Sequence, residues 1–299
     1  MTEDILIIGS GALACLFAAR LTCSGTPVTL TGTFEAAMKT IRGRGIGLIE
    51  AGVTTFIPVA TLDPSSSIKR FSKAILLTKA YQTTSSLKRV KPNLDEKGSV
   101  LSLQNGLTPR DQMISVIGEK RTISGITLCA GEQIEPGVVK HNGGKDVVIG
   151  QHPDTAYYRD ILSGAGFTVT VTGDIRKMIW EKAIINSAAN PLAAIMRYPN
   201  GKVYNSPDLM SLIDELIQEA CQVARADGCP VNDEELRDRI RQILRDTSAN
   251  RCSMLQDVIN RRSTEIDDLN GAIINKAKKL GISTPVHRTI THLVRSIHL

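Results

Sequence analysis

The chain has 299 residues, 42% hydrophobic, 22% charged and only 4% aromatic, and its 36 basic and 30 acidic side chains leave a net charge of +6. These are globular proportions, and the absence of a basic tail or interleaved aromatics argues against a nucleic-acid binder. No apolar run reaches the roughly 18 residues that a membrane helix needs, and the opening MTEDILIIG places acids where a secretion signal needs bases, so a cytoplasmic protein is expected.

In chain order, the first half alternates short β-branched runs with helical stretches. The runs at 5–8, 28–31, 74–78, 100–103, 123–126, 147–149 and 167–171 read as strands. An amphipathic segment at 12–24, ended by Gly25, joins the first two in the rhythm of a parallel sheet. The stretch VVKHNGGKDVVIG, with Gly143-Gly144 between two valine-rich runs, reads as a β-hairpin on the sheet's edge. From Asp174 helix signals take over. Ser206-Pro207 starts one helix, which Gly228 and Pro230 end. Asn232 with Glu235 forms a capping-box-like start to the next. Ser263 is the expected cap of TEIDDLNGAIINKAKKL, which Gly281 terminates, and Thr284-Pro285 opens the last helix. The fold class expected is α/β, with a Rossmann-type dinucleotide-binding domain over residues 1–172 and an all-helical domain over 173–299.

The stretch ILIIGSGALACLFAARL sets Gly9 and Gly11 between a buried strand and a helix. Gly9 permits the tight turn, Gly11 lets the backbone approach a pyrophosphate, and the helix N-terminus offers amide donors and partial positive charge. Ala14 takes the third fingerprint position, where helix and strand pack closely. The second strand ends Thr31-Gly32-Thr33, with neither the acid of NAD sites nor the base of NADP sites. Lys79, after AILLT, is either a charge that reaches the dinucleotide or a solvated strand end.

The stretch WEKAIINSAANP reads as a buried helix interrupted by Lys182, Asn186 and Asn190. At 100° per residue these three lie within about 80° of one another. Asparagine is a poor helix former, and a solvent face is better served by Glu, Gln or Lys. The stripe therefore reads as a ligand face, its amides suited to hydroxyl and carboxylate oxygens, or else as a polar stripe packed on the other domain. A lone lysine ordinarily snorkels to solvent. Pro191 removes a helical N–H, so a kink is expected there. The six cysteines (Cys15, Cys23, Cys129, Cys221, Cys229 and Cys252) form no CxxC pair and read as reduced packing residues, with no metal site expected. His141, His152, His287, His292 and His298 find no triad or metal spacing and are given no chemistry.

Several stretches together resemble the ketopantoate reductases: IGSGALA, LLTKAYQ, LQNGL, WEKAIINSAANPLAAI with PNG following, SANRCSMLQDVINRRSTEIDDLNGAII and GISTPVH. The resemblance runs nearly end to end, in order and with matching gaps. It implies NADPH-dependent reduction of 2-dehydropantoate to pantoate, a step toward pantothenate and coenzyme A, with substrate in a cleft between two domains. It implies Lys182 as general acid, with Asn186, Asn190, Asn200, Asn250 and Ser253 on the substrate. Gly9, Ser10, Gly11, Ala12, Leu13, Ala14, Lys79 and Asn105 would hold the cofactor, and Glu265 would sit where cofactor and substrate meet, with a part in catalysis. Thr33 stands where the family commonly has an arginine for the 2′-phosphate, so NAD is admissible beside NADP.

The chemistry suits these residue types. Hydride transfer to a ketone leaves negative charge on oxygen, which an ammonium can stabilise and protonate. Asn250 and Ser253, three apart, are expected to share a helix face, or else to be plain helix-start residues. Glu265 is expected near a helix start, where a carboxylate also complements the dipole. Asn105 lies after a strand end, either at a ligand edge or as a turn residue. The expected partners are a small 2-keto acid and, as an admissible assembly, a second copy in a homodimer; neither nucleic acid nor membrane is expected. The alternatives are a reductase of another 2-keto acid on the same fold and a non-enzymatic dinucleotide-binding redox sensor.

Overall fold

A computed structural model describes residues 3–65 and 68–297; His298 lies outside them. The chain divides into two compact units, one made of residues up to 104 with Pro109–Ile175, the other of Asn105–Thr108 with the residues from Arg176 onward.

The first unit runs β1 (Ile5–Ile8), α1 (Ala12–Cys23), β2 (Val28–Thr31), α2 (Glu35–Arg44), β3 (Ile46–Glu50), β4 (Val53–Ile57), β5 (Ala60–Thr61), β6 (Phe71–Leu76), α3 (Thr83–Val90), β7 (Leu94–Ser102), α4 (Pro109–Ile117), β8 (Thr122–Thr127), β9 (Ala130–Glu135), β10 (Val138–Gly143), β11 (Asp146–Gly150), α5 (Thr155–Gly164) and β12 (Thr168–Thr172). Eight strands form one sheet in the order β12-β11-β8-β7-β6-β1-β2-β5, parallel except where β11 meets β8. β1 has β2 on one side and β6 on the other, so the strand order reverses at β1, the point at whose C-terminal ends open α/β sheets bind their ligands. The β1 strand ILII is buried throughout, as a central parallel strand covered on both faces must be.

Two expectations fail here. The valine-rich runs around Gly143-Gly144 do not pair with each other. β10 joins a second, four-stranded sheet of order β4-β3-β10-β9, while β11 pairs with β8 and β12 in the large sheet. The glycines carry the chain from one sheet to the other, and the hairpin lies one step earlier, between β9 and β10 across Pro136-Gly137. The second correction concerns α1, which is apolar nearly all round rather than amphipathic, with Ala14 to Ala19 and Leu21 buried. Such a helix must be covered on more than one side. The large sheet covers one side and β3, β9 and β10 the other. Phe17 stacks on Phe167 with ring centroids 4.3 Å apart, and each such buried side chain stabilises the unit by about 1.5–3 kcal/mol.

The second unit contains α6 (Ile175–Met196), α7 (Asn200–Tyr204), α8 (Pro207–Ala226), α9 (Asp233–Asp246), α10 (Ser253–Ile259), a π-turn (Asp267–Gly271), α11 (Ala272–Leu280) and α12 (Pro285–Arg295). Its core gathers Trp180, Ile184 and Ala188 of α6 with Ile213, Ile217 and Ala220 of α8. The expected caps form: Ser206 accepts from Leu209 N, and Asn232 accepts from Glu234 N and Glu235 N. The Glu235 carboxylate meets the Asn232 side-chain amide at 3.4 Å, so the reciprocal half of the box is side chain to side chain. The α12 N-terminus is capped from a distance. Glu219 of α8 accepts from Val286 N at 2.9 Å and His287 N at 3.0 Å, and faces His287 Nδ1 at 3.0 Å. Among the described residues, no helix is long and apolar enough to cross a membrane.

The helix expected from Ser263 starts only at Asp267, so Ser263 is not its cap. The Glu265 carbonyl receives Asp268 N and Leu269 N, and Gly271 N reaches back five residues to Ile266 O at 3.0 Å, the signature of a π-turn.

Candidate active site

In the first unit the glycine loop sits where sequence chemistry placed it, between β1 and α1. Gly9 has φ +138°, and a Cβ there would lie 2.9 Å from Leu77 O and 3.1 Å from the Ala14 Cβ. The turn therefore requires glycine, and Ala14 is fully buried beside it. Gly11 is exposed with open space above it. Among the described residues, no side chain caps α1 and no acid stands in its first turn, which leaves its N-terminal amides turned toward any incoming anion. Ser10 is buried, whereas Ala12 and Leu13 are half-buried on the first turn of α1. These features fit the pyrophosphate of a dinucleotide.

Lys79 lies in the loop after β6 rather than on the strand, and β6 is the parallel neighbour of β1. The loop is held by Gln104, which sequence reading overlooked. Its amide donates to Thr78 O at 2.9 Å and Lys79 O at 3.2 Å, and its carbonyl accepts from Thr83 and Ser102. A buried glutamine directly after a strand was the available signal. Gly32 was also passed over: a Cβ there would meet Ser10 Oγ at 2.2 Å, so the end of β2 packs directly on the glycine loop. Thr33 is exposed.

In the second unit Lys182, Asn186 and Asn190 share one continuous helix, α6, at spacings of four, with Pro191 inside it. Lys182 and Asn186 are half-buried, and Asn190 is 9% exposed. Cys252 donates its thiol to Asn190 O at 3.7 Å, which brings the start of α10 to the end of the stripe. Cys252 is also the cap of α10, so Asn250 lies outside the helix and does not share a helical face with Ser253. Asn250 and Ser253 are exposed, and Asn250 O accepts from Asn200 N at 3.0 Å. The Asn200 side chain donates to Thr247 Oγ1 at 2.7 Å.

Asn105 clusters with the second unit, where its amide lies 3.5 Å from Glu265 Oε2. Glu265 is 6% exposed. The pair is locked from below: Leu107 N donates to Asp268 O at 3.2 Å, and Thr108 Oγ1 donates to Asp268 Oδ1. Burial, with the charges of Glu265 and Asp267 adding, pushes the Asp268 carboxyl above its usual range, although the Thr108 bond opposes this. Asp268 and Asn270 were overlooked in the sequence; their signal was the polar DDLNG inside an otherwise helical pattern.

A sheet that reverses order at β1, with a glycine turn and an uncapped helix at that point, defines the class of nicotinamide-dinucleotide-dependent oxidoreductases once the comparisons with known proteins are added. The family model described as ketopantoate reductase PanE/ApbA matches residues 5–154, and the one described as its C-terminal part matches residues 174–298. The chain belongs to the ketopantoate reductase family and is an NAD(P)-dependent oxidoreductase. It is 33% identical over 304 residues to the 2-dehydropantoate 2-reductase of Pyrococcus horikoshii, covering 98% of this chain and 96% of that one. To the enzyme of the same name from Halobacterium salinarum it is 29% identical, covering 97% of each. Among solved structures, D-mandelate dehydrogenase with NADH and anilino(oxo)acetate matches with a TM-score of 0.94 at 26% identity, covering 98% of this chain and 97% of that one. A PanE/ApbA family ketopantoate reductase from Ralstonia eutropha matches with a TM-score of 0.91 at 29% identity, covering 98% of each chain.

Because the Gly9 turn has no room for a methyl, Gly9→Ala is expected to weaken NAD(P)H binding by about tenfold or more while the fold persists. Fluorescence titration of the reduced cofactor checks this; affinity within twofold of wild type would show that the loop does not approach the dinucleotide.

Proposed function

We propose that this enzyme reduces 2-dehydropantoate to pantoate with NADPH, feeding pantothenate and coenzyme A synthesis. The dinucleotide supplies the hydride. The chain's own residues bind the keto acid and deliver the proton. Lys182 places an ammonium at the ketone oxygen, stabilises the charge that develops there and protonates it. Asn186 and Asn190 orient the acid's oxygens, with Asn200, Asn250 and Ser253 completing its binding. Glu265, steadied by Asn105, accepts a hydrogen bond from the product hydroxyl or the nicotinamide ribose. Gly9 to Ala14 hold the pyrophosphate on the α1 N-terminus, and Lys79 binds the same cofactor. The observation that carries this reading is the single-helix stripe of Lys182, Asn186 and Asn190, found in a chain about 30% identical to named 2-dehydropantoate 2-reductases.

A second reading is NADH-dependent reduction of another 2-keto acid. It is supported by the likeness to D-mandelate dehydrogenase holding NADH and by Thr33, which offers no cation to a 2′-phosphate. Against it, Thr31-Gly32-Thr33 also offers no carboxylate to repel that phosphate. The test is steady-state oxidation of NADPH and NADH with 2-dehydropantoate and with benzoylformate. The first reading expects kcat/KM to favour NADPH with 2-dehydropantoate by about tenfold or more, a difference of roughly 1.4 kcal/mol. A preference for NADH with benzoylformate would replace it by the second.

A further inference from the structure

Pro191 lies within α6 and has no N–H, and a proline ring inside a helix crowds the carbonyl four residues back. That carbonyl belongs to buried Ser187, which lies between Asn186 and Asn190 in the sequence of α6. It does not go unmet: Asn270 Nδ2 donates to Ser187 O at 2.9 Å, from 83 residues further along the chain. Asn270 is 0% exposed and sits in the π-turn at Asp267–Gly271. Among the described residues its own Oδ1 has no hydrogen-bond partner.

Each half of this arrangement is unfavourable alone. Proline disfavours a helix interior, and a buried amide with one unmet atom costs free energy. Alanine at position 191 with an apolar residue at position 270 would fill the same space with the bond made inside the helix. Two local penalties that answer each other indicate a demand on geometry rather than stability. The same turn also carries the carbonyl of Asp268 that holds Leu107, and it begins two residues after Glu265, the partner of Asn105.

We propose that Asn270 is a positioning residue: it replaces the donor that Pro191 withdraws from Ser187, and so sets how α6 presents Asn186 and Asn190 to the keto acid and holds that helix in register with Glu265. The inference rests on the reading of the stripe as the keto-acid face.

The test is a double-mutant cycle of Pro191→Ala and Asn270→Leu, read by kinetics and by melting. Asn270→Leu should lower kcat/KM for the keto acid by about 10²-fold, as small misplacements near the reacting centre do, and leave KM for the reduced cofactor within about twofold. In the Pro191→Ala background the backbone N–H restored at that position takes back the Ser187 carbonyl, so adding Asn270→Leu should change kcat/KM by less than about threefold. Equal losses in both backgrounds, or no loss in either, would overturn the proposal. The melting cycle is independent of substrate: Asn270→Leu should lower Tm by roughly 3–8 °C alone and by much less beside Pro191→Ala. Should the wild type turn over no keto acid, the functional reading fails while the melting cycle still decides the hydrogen bond. If Asn270→Leu does not fold, recovery of folded protein by Pro191→Ala supports the proposal, and its absence refutes it.

Discussion

A Lys182→Ala variant is expected to lose about 10²–10⁴-fold in kcat for the keto acid and to keep its fold and its affinity for the reduced cofactor. The lysine stands on α6 four residues before Asn186, with Ala183, Ile184 and Ile185 buried behind it. Removing it takes away no core side chain, so melting should shift little. On the proposed mechanism, the cation that would meet charge on the ketone oxygen disappears, an interaction stronger in the transition state than in the ground state, so the expected loss is in kcat rather than in KM alone. Lys182→Arg should recover little, because a guanidinium stays protonated and presents its donors in a different geometry. Stopped-flow single turnovers separate the chemical step from product release. A Lys182→Ala enzyme with near wild-type kcat would remove the lysine from the mechanism.

The second large effect falls outside the candidate site. Glu219→Ala is expected to cost about 3–5 kcal/mol, because it breaks a largely buried pair and uncaps a helix at once. His287 is 0% exposed and its Nδ1 faces Glu219, so the tautomer with the proton on Nδ1 makes that bond. Without the carboxylate, two amides of α12 and a ring N–H lose their acceptor. Burial alone would raise the Glu219 carboxyl, but the His287 ring and the amides of Val286 and His287 outweigh it and hold the group below its usual range. Its folded value thus lies under its unfolded value. The stabilisation is present above the unfolded value and is lost as pH falls through the folded one. Urea melts from neutral to acid pH should show wild type losing stability on the acid side. Glu219→Gln should be less stable at neutral pH and lack that contribution to the acid-side slope. Equal stability of Glu219→Ala and wild type at neutral pH would refute the account.

Much of the local geometry of the candidate site was legible from neighbours along the chain. The Gly9–Ala14 turn, the caps at Ser206 and Asn232 and the four-residue spacing of Lys182, Asn186 and Asn190 each depend on chemistry within about one or two helical turns. Those short-range rules hold whatever packs around them. The readings that failed had their partners elsewhere. β10 and β11 looked like a hairpin because both are valine-rich and two glycines join them; which sheet each enters depends on β3, β8, β9 and β12. Ser263 has the chemistry of a cap, but the helix opens four residues later as a π-turn, where Gly271 N reaches back to the Ile266 carbonyl.

The sequence by itself determined a Rossmann-like nucleotide-binding half, a helical second half and one polar stripe, because backbone turns, caps and helical periodicity are written in adjacent residues. Only the tertiary structure decided that Asn105 joins Glu265, that Glu219 caps α12 and that Asn270 answers Pro191. Each of those bonds satisfies a polar group stranded by burial or by proline, and its partner is chosen by what the folded chain brings within about 3.5 Å, which no local pattern encodes.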